Sequence, residues 1–236
     1  MTRNDVSWTF RYTLIWPDGH RAVFTIELDP HTCKVRHPET GTAPDWTRLT
    51  FHQCPNCPLY LETHPYCPAA RAIAPVVESM RDRASFEEVE VIVDAPHRQY
   101  CWKVSLQHAV SSLMGLIMPT SGCPILDRLR PMVLTHLPFA SPRETTYRLV
   151  STYLLAQYFR HQQGLPADLE LQHLLTFLRD VQTVNTSLCE RLRAIIRRDA
   201  GINAVVVLDS LSRIAEAMIE MDALETFAPL FDAYLR

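Results

Sequence analysis

Apolar and polar positions alternate over residues 8–16, "WTFRYTLIW", and again over residues 22–29, "AVFTIELD", with Pro17, Asp18 and Gly19 between them. A period of two marks a strand with one buried face, so these runs predict a hairpin with a slightly long loop. The pattern returns at 87–95, "EEVEVIVDA", and 100–106, "YCWKVSL", which reads as a second strand pair. A short strand is also expected at 48–52, "RLTFH", leading into a cysteine-rich stretch. Between the pairs, 69–83 is helical in spacing, with Pro75 expected to kink or divide it.

From about residue 105 the period lengthens to that of a helix. Leu171, Leu174, Leu178, Val181, Leu188, Leu192 and Ile195 trace one apolar stripe, which predicts a single helix of nearly thirty residues. Gly201 resets the chain before a last long helical run. The expected architecture is therefore α+β. A small antiparallel N-terminal sheet with a cysteine-rich loop (1–104) packs on a C-terminal bundle of five or six helices (105–236), as one compact unit.

Composition narrows the functions. A chain of 236 residues with net charge −3 carries no basic footprint for nucleic acid and no polybasic membrane patch. No apolar run reaches membrane-spanning length, and the N-terminus lacks the apolar core of a signal peptide. A cytoplasmic location follows as an expectation. Six glycines fall in neither a dinucleotide-binding turn nor a P-loop, and no nucleophile elbow is present.

The cysteines change the picture. Four of seven, Cys54, Cys57, Cys67 and Cys123, are each followed by proline, where composition alone gives about 0.5 such pairs. Proline holds the preceding residue extended and suits the first position of a helix. Pro68 and Pro124 both precede helical patterns, which puts Cys67 and Cys123 at N-caps. Free helix N–H groups and the helix dipole there favour a thiolate and a lowered pKa. At Cys54-Pro-Asn-Cys57 the central pair suits a tight turn that brings both sulfurs to one side.

These four cysteines are the expected ligands of one metal centre joining the two subdomains. Cys-Pro pairs and a remote fourth ligand favour an iron–sulfur cluster slightly over structural zinc, whose knuckles usually place glycine where Pro58 stands. A cluster would imply a redox partner. His52 and His64 flank the loop and are alternative ligands. His64, His108, His136 and Glu144 are candidates for supporting or acid/base groups beside the metal, against a plainer reading as hydrogen-bonded polar residues of the packing.

Two other functions stay open. One is a metal-free interaction or regulatory module, a homodimer through the long apolar helix. The other is a thiol-redox protein using Cys54 and Cys57, which needs a strand before the motif and a helix directly after Cys54. Ser141, Pro142 and Glu144 read as a capping box, with Glu144 also placed to pair with Arg148. Gln107 and Ser111 share a helix face, while Gln157, Asn185 and Asn203 read as helix-packing polar residues or caps. One E-x-x-H motif, Glu170 to His173, is too little for a di-iron bundle. Arg191, Arg193, Arg197 and Arg198 read as a solvated basic face near a helix end.

The phrases "FHQCPNCPL", "HPYCP", "TSGCP", "PMVLTHLPFA" and "YLLAQYFR" resemble those of a bacterial domain family of unknown function. The resemblance covers roughly residues 10 to 220. It implies a widespread cytoplasmic bacterial protein and carries no activity to transfer.

Overall fold

The computed structural model describes residues 8–37, 43–195, 199–221 and 223–236. The two alternating runs are strands β1 (Trp8–Ile15) and β2 (Arg21–Leu28), joined across the turn in which Gly19 takes φ +85°. That left-handed conformation suits glycine, and the Trp16 N–H closes the loop onto the His20 carbonyl at 3.0 Å. The second pair is β3 (Glu88–Ala95) and β4 (Arg98–Ser105). All pairings are antiparallel and the order is β2-β1-β3-β4.

Alternation puts one face inward: Phe10, Tyr12 and Leu14 on β1, and Val89, Val91 and Val93 on β3, are buried. The expected strand at 48–52 does not form. Only an isolated bridge joins Arg48 to Tyr66, and the next residues turn.

Among the described residues there are five α-helices: α1 (Pro68–Ser79), between β2 and β3, then α2 (Leu106–Thr120), α3 (Pro142–Gln162), α4 (Gln172–Arg193) and α5 (Ala200–Glu220) after the sheet. Helix α1 continues through Pro75 undivided. The stretch after Cys123 is a 3₁₀ segment, Leu126–Thr135, and not an α-helix. Helix α4 is shorter than the apolar stripe, because Leu171 turns to φ +60° before it and Ile195 lies beyond its end.

Helix α2 is apolar nearly all round, the mark of a central helix. It packs on β3 and β4 on one side and on α5 on the other. Leu106, Leu113 and Leu116 are fully buried, each contributing about 1.5–3 kcal/mol. Buried apolar side chains form one continuous cluster from Phe10 on β1 to Ala215 on α5. The α4 stripe belongs to that cluster, so it is spent on this chain's own core and is not a free dimerisation face. Among the described residues no helix is long and apolar enough to cross a membrane.

Candidate metal centre

Three segments held around α4 carry the four Cys-Pro cysteines. The first is the turn at 54–57, where the Cys57 N–H donates to the Cys54 carbonyl at 3.0 Å, with Pro55 and Asn56 central as expected. Asn56 fastens this turn to α4, donating to the Asp180 carbonyl at 3.1 Å and to Asp180 Oδ1 at 3.2 Å. The Cys54 sulfur accepts a hydrogen bond from Ser187, a buried hydroxyl on α4.

The second segment is the start of α1. Cys67 is its N-cap and Pro68 stands at the first position, as the Cys-Pro pattern predicts. The Cys67 N–H donates to the Thr47 carbonyl at 2.8 Å, and the Leu49 N–H to the Pro65 carbonyl at 3.0 Å. Residues 46–49 are in turn gripped by Arg191 of α4. Its guanidinium donates to the carbonyls of Trp46, Arg48 and Leu49 at 2.9, 2.7 and 3.0 Å.

Arg191 is 1 % exposed, which overturns the reading of a solvated basic face there. Five fixed donors on a planar fork suit it to collecting carbonyls from an irregular segment. Arg193 is exposed, and Arg197 and Arg198 lie outside the described residues.

The third segment begins at Cys123. Its sulfur accepts from the N–H groups of Ile125 and Leu126, and its carbonyl accepts from the Asp127 N–H at 2.9 Å. The N-cap of the 3₁₀ segment is Ile125, so Cys123 stands two residues before the cap and not at it, where the Cys-Pro pattern puts it. Arg128 of that segment lies over the Phe177 ring of α4, 5.4 Å from its centroid.

The four thiols therefore converge. Cys54 lies within electrostatic reach of Cys67, Cys57 and Cys123, and Cys123 within reach of Cys67 and Cys57. Cys67 and Cys123 are buried, Cys54 and Cys57 half-buried, and all seven cysteines of the chain are free thiols. Two of the thiols are raised, and the expectation of a lowered pKa at a helix start is corrected at Cys123. Burial pushes the Cys54 thiol up to about 11, with the neighbouring sulfurs adding to it and the Ser187 hydrogen bond opposing. At Cys123 burial again raises the thiol, outweighing the two N–H groups that favour the thiolate. Among the described residues, no group of three or more His, Cys, Asp or Glu side chains is placed so that it could hold a metal ion.

The match to known families covers this whole arrangement. The family model of a domain of unknown function, DUF6901, matches residues 8–232. The chain belongs to the DUF6901 family. No curated protein and no solved structure matches it.

In this DUF6901 chain the histidines and the glutamate singled out beside the cysteines bond elsewhere. His64 is exposed and bonds Thr63 at 2.9 Å, while His52 faces Glu190 at 3.6 Å. His108 is exposed and bonds Ser105 at 2.8 Å. His136 is half-buried against the sheet, with its Nε2 at 2.5 Å from the Tyr12 hydroxyl. Burial drives its pKa down to about 3, and nearby Arg148 adds to the effect, so the ring is neutral.

Glu144 forms the expected capping box with Ser141; it interacts with Arg148 electrostatically but not as an ion pair among the described residues, and Arg148 donates to the Met132 carbonyl at 2.8 Å. Sequence reasoning missed Ser187, Asn56 and Arg191. The one local signal was the appearance of Asn185, Ser187 and Arg191 on the buried side of an apolar helix.

Proposed function

We propose that the chain is a cysteine-ligated metalloprotein. Its centre is formed by Cys54, Cys57, Cys67 and Cys123 and joins the sheet subdomain to the helices. The observation that carries this reading is the convergence of four buried or half-buried free thiols, from three separated segments, within reach of one another's charge. Burial makes the Cys54 and Cys123 sulfurs resist ionisation, and a metal reverses that balance by binding the thiolate and releasing its proton.

The Cys-Pro pairs and the remote fourth cysteine favour an iron–sulfur cluster slightly over zinc. A tetrahedral zinc with bonds of about 2.3 Å draws its sulfurs to roughly 3.8 Å from each other. A cluster interposes iron and sulfide and holds its thiolates farther apart. Backbone N–H groups on the Cys123 sulfur are of the kind that tune a cluster's potential. Electron transfer or redox sensing is the chemistry such a centre supplies.

The dithiol alternative has less support. Cys54 is raised and not lowered, and residues 58–67 hold only turns and irregular chain where a redox motif needs a helix.

Replacing Cys123 by Ser tests the proposal. Metal content per chain and melting temperature should fall together, because the centre staples distant segments. Unchanged metal stoichiometry in that variant removes Cys123 from the ligand set.

A further inference from the structure

A cavity of about 650 Å³ opens between α2, α3, α5 and the 3₁₀ segment, in the range of small-molecule sites. Its walls are mainly apolar: Met118, Leu129, Leu178, Leu208 and Leu211 contribute. Trp102 and His108, both exposed, stand at its rim. One cation lines it, Arg148. Its Nη2 donates to the Met132 carbonyl, its Nε is buried without an acceptor, and no carboxylate forms an ion pair with it among the described residues.

Burial penalises this guanidinium, lowering its pKa. A charge at an apolar wall is costly unless a counter-charge reaches it. Tyr100 and Glu144 offset it electrostatically, but Glu144 forms no ion pair with it among the described residues and is held by Ser141 in the capping box. The polar groups of the wall add no counter-charge. His136 is neutral, and the Tyr12 hydroxyl is engaged by it and by Ser112 at 2.9 Å.

We propose that this cavity binds a small amphipathic carboxylate, with its apolar body among the leucines and its carboxylate on the Arg148 guanidinium. A single planar guanidinium matches a monoanionic carboxylate through two parallel hydrogen bonds. A phosphate dianion would need further donors, and the cavity offers no second cation. The site is separate from the cysteines and does not depend on the metal. Leu126 connects the two regions, since its N–H faces the Cys123 sulfur and its side chain lines the cavity.

The test is calorimetric titration of the full chain with octanoate and with 1-octanol. Octanoate should bind one per chain and about tenfold or more tightly than the alcohol, as a charge-assisted pair implies. In Arg148→Met the preference should vanish while the weak binding of the alcohol remains. Equal affinity for both probes, no binding of either at millimolar concentration, or a preference that survives Arg148→Met overturns the proposal. If Arg148→Met does not fold, amide shifts of the wild type on adding octanoate decide it. Changes centred on Gly115 and Ala140 support the site, and changes that leave them unmoved overturn it.

Discussion

Asn56 holds Asp180 twice, through the backbone carbonyl at 3.1 Å and through Oδ1 at 3.2 Å, across 124 residues of chain. The turn that presents Cys54 and Cys57 is thereby referenced to α4, the helix that also supplies Ser187 to Cys54 and Arg191 to the segment under Cys67. Supporting hydrogen bonds of this kind typically carry about 10–100-fold in metal affinity. Asn56→Ala should lower metal affinity by about tenfold while folding cooperatively, as checked by competition with a chelator.

The Cys54 thiol gives a reactivity prediction. In metal-free protein at pH 7.5, iodoacetamide should label the exposed Cys101 first and leave Cys54 almost untouched. The sign for stability follows from the same shift. A thiol raised from 9.0 to about 11 contributes stability present below pH 9, lost as pH rises through 11. Mass mapping of the labelled sites checks the order, and rapid labelling of Cys54 below pH 7 would instead support a dithiol enzyme.

Arg191 should be one of the most sensitive positions in the fold. Its removal strands three carbonyls, of which those of Trp46 and Leu49 are buried and each cost about 1–3 kcal/mol. Arg191→Met should destabilise the chain by about 3 kcal/mol or more in urea unfolding. Arg191→Lys should not rescue it, because one ammonium cannot span the three acceptors.

How far these features were legible depends on the range of the interaction behind them. The alternation in β1 to β4 and the capping box at Ser141 and Glu144 are local, and the structure has them where the pattern puts them. The proline logic also held at Cys67, because the residue before a helix-opening proline is an N-cap by geometry alone. Arg191 was misread because the carbonyls that bury it lie more than 140 residues away. The thiol pKa values went the other way for the same reason, since the N–H groups at Cys123 are local and the burial that outweighs them is tertiary. The end of α4 was overrun because the apolar stripe continues through Leu171 and Ile195, whose backbones leave the helix.

His136 predicts an acid limit. A histidine held near 3 in the fold but at 6.5 when unfolded gives stability that is complete above pH 6.5 and is lost as pH falls toward 3. The loss approaches about 1.4 kcal/mol per pH unit within that window. His136→Gln should flatten the dependence, and unfolding free energies at pH 7, 5.5 and 4.5 provide the check.

The central claim is tested most directly by purifying the chain without oxygen and recording its absorption spectrum and elemental content on one sample. The account predicts a brown protein with iron and acid-labile sulfide, lost together in Cys123→Ser. A colourless protein with one zinc per chain would keep the four-cysteine centre and correct its metal. A colourless protein with neither iron nor zinc, melting as sharply with chelator as without, would contradict the account.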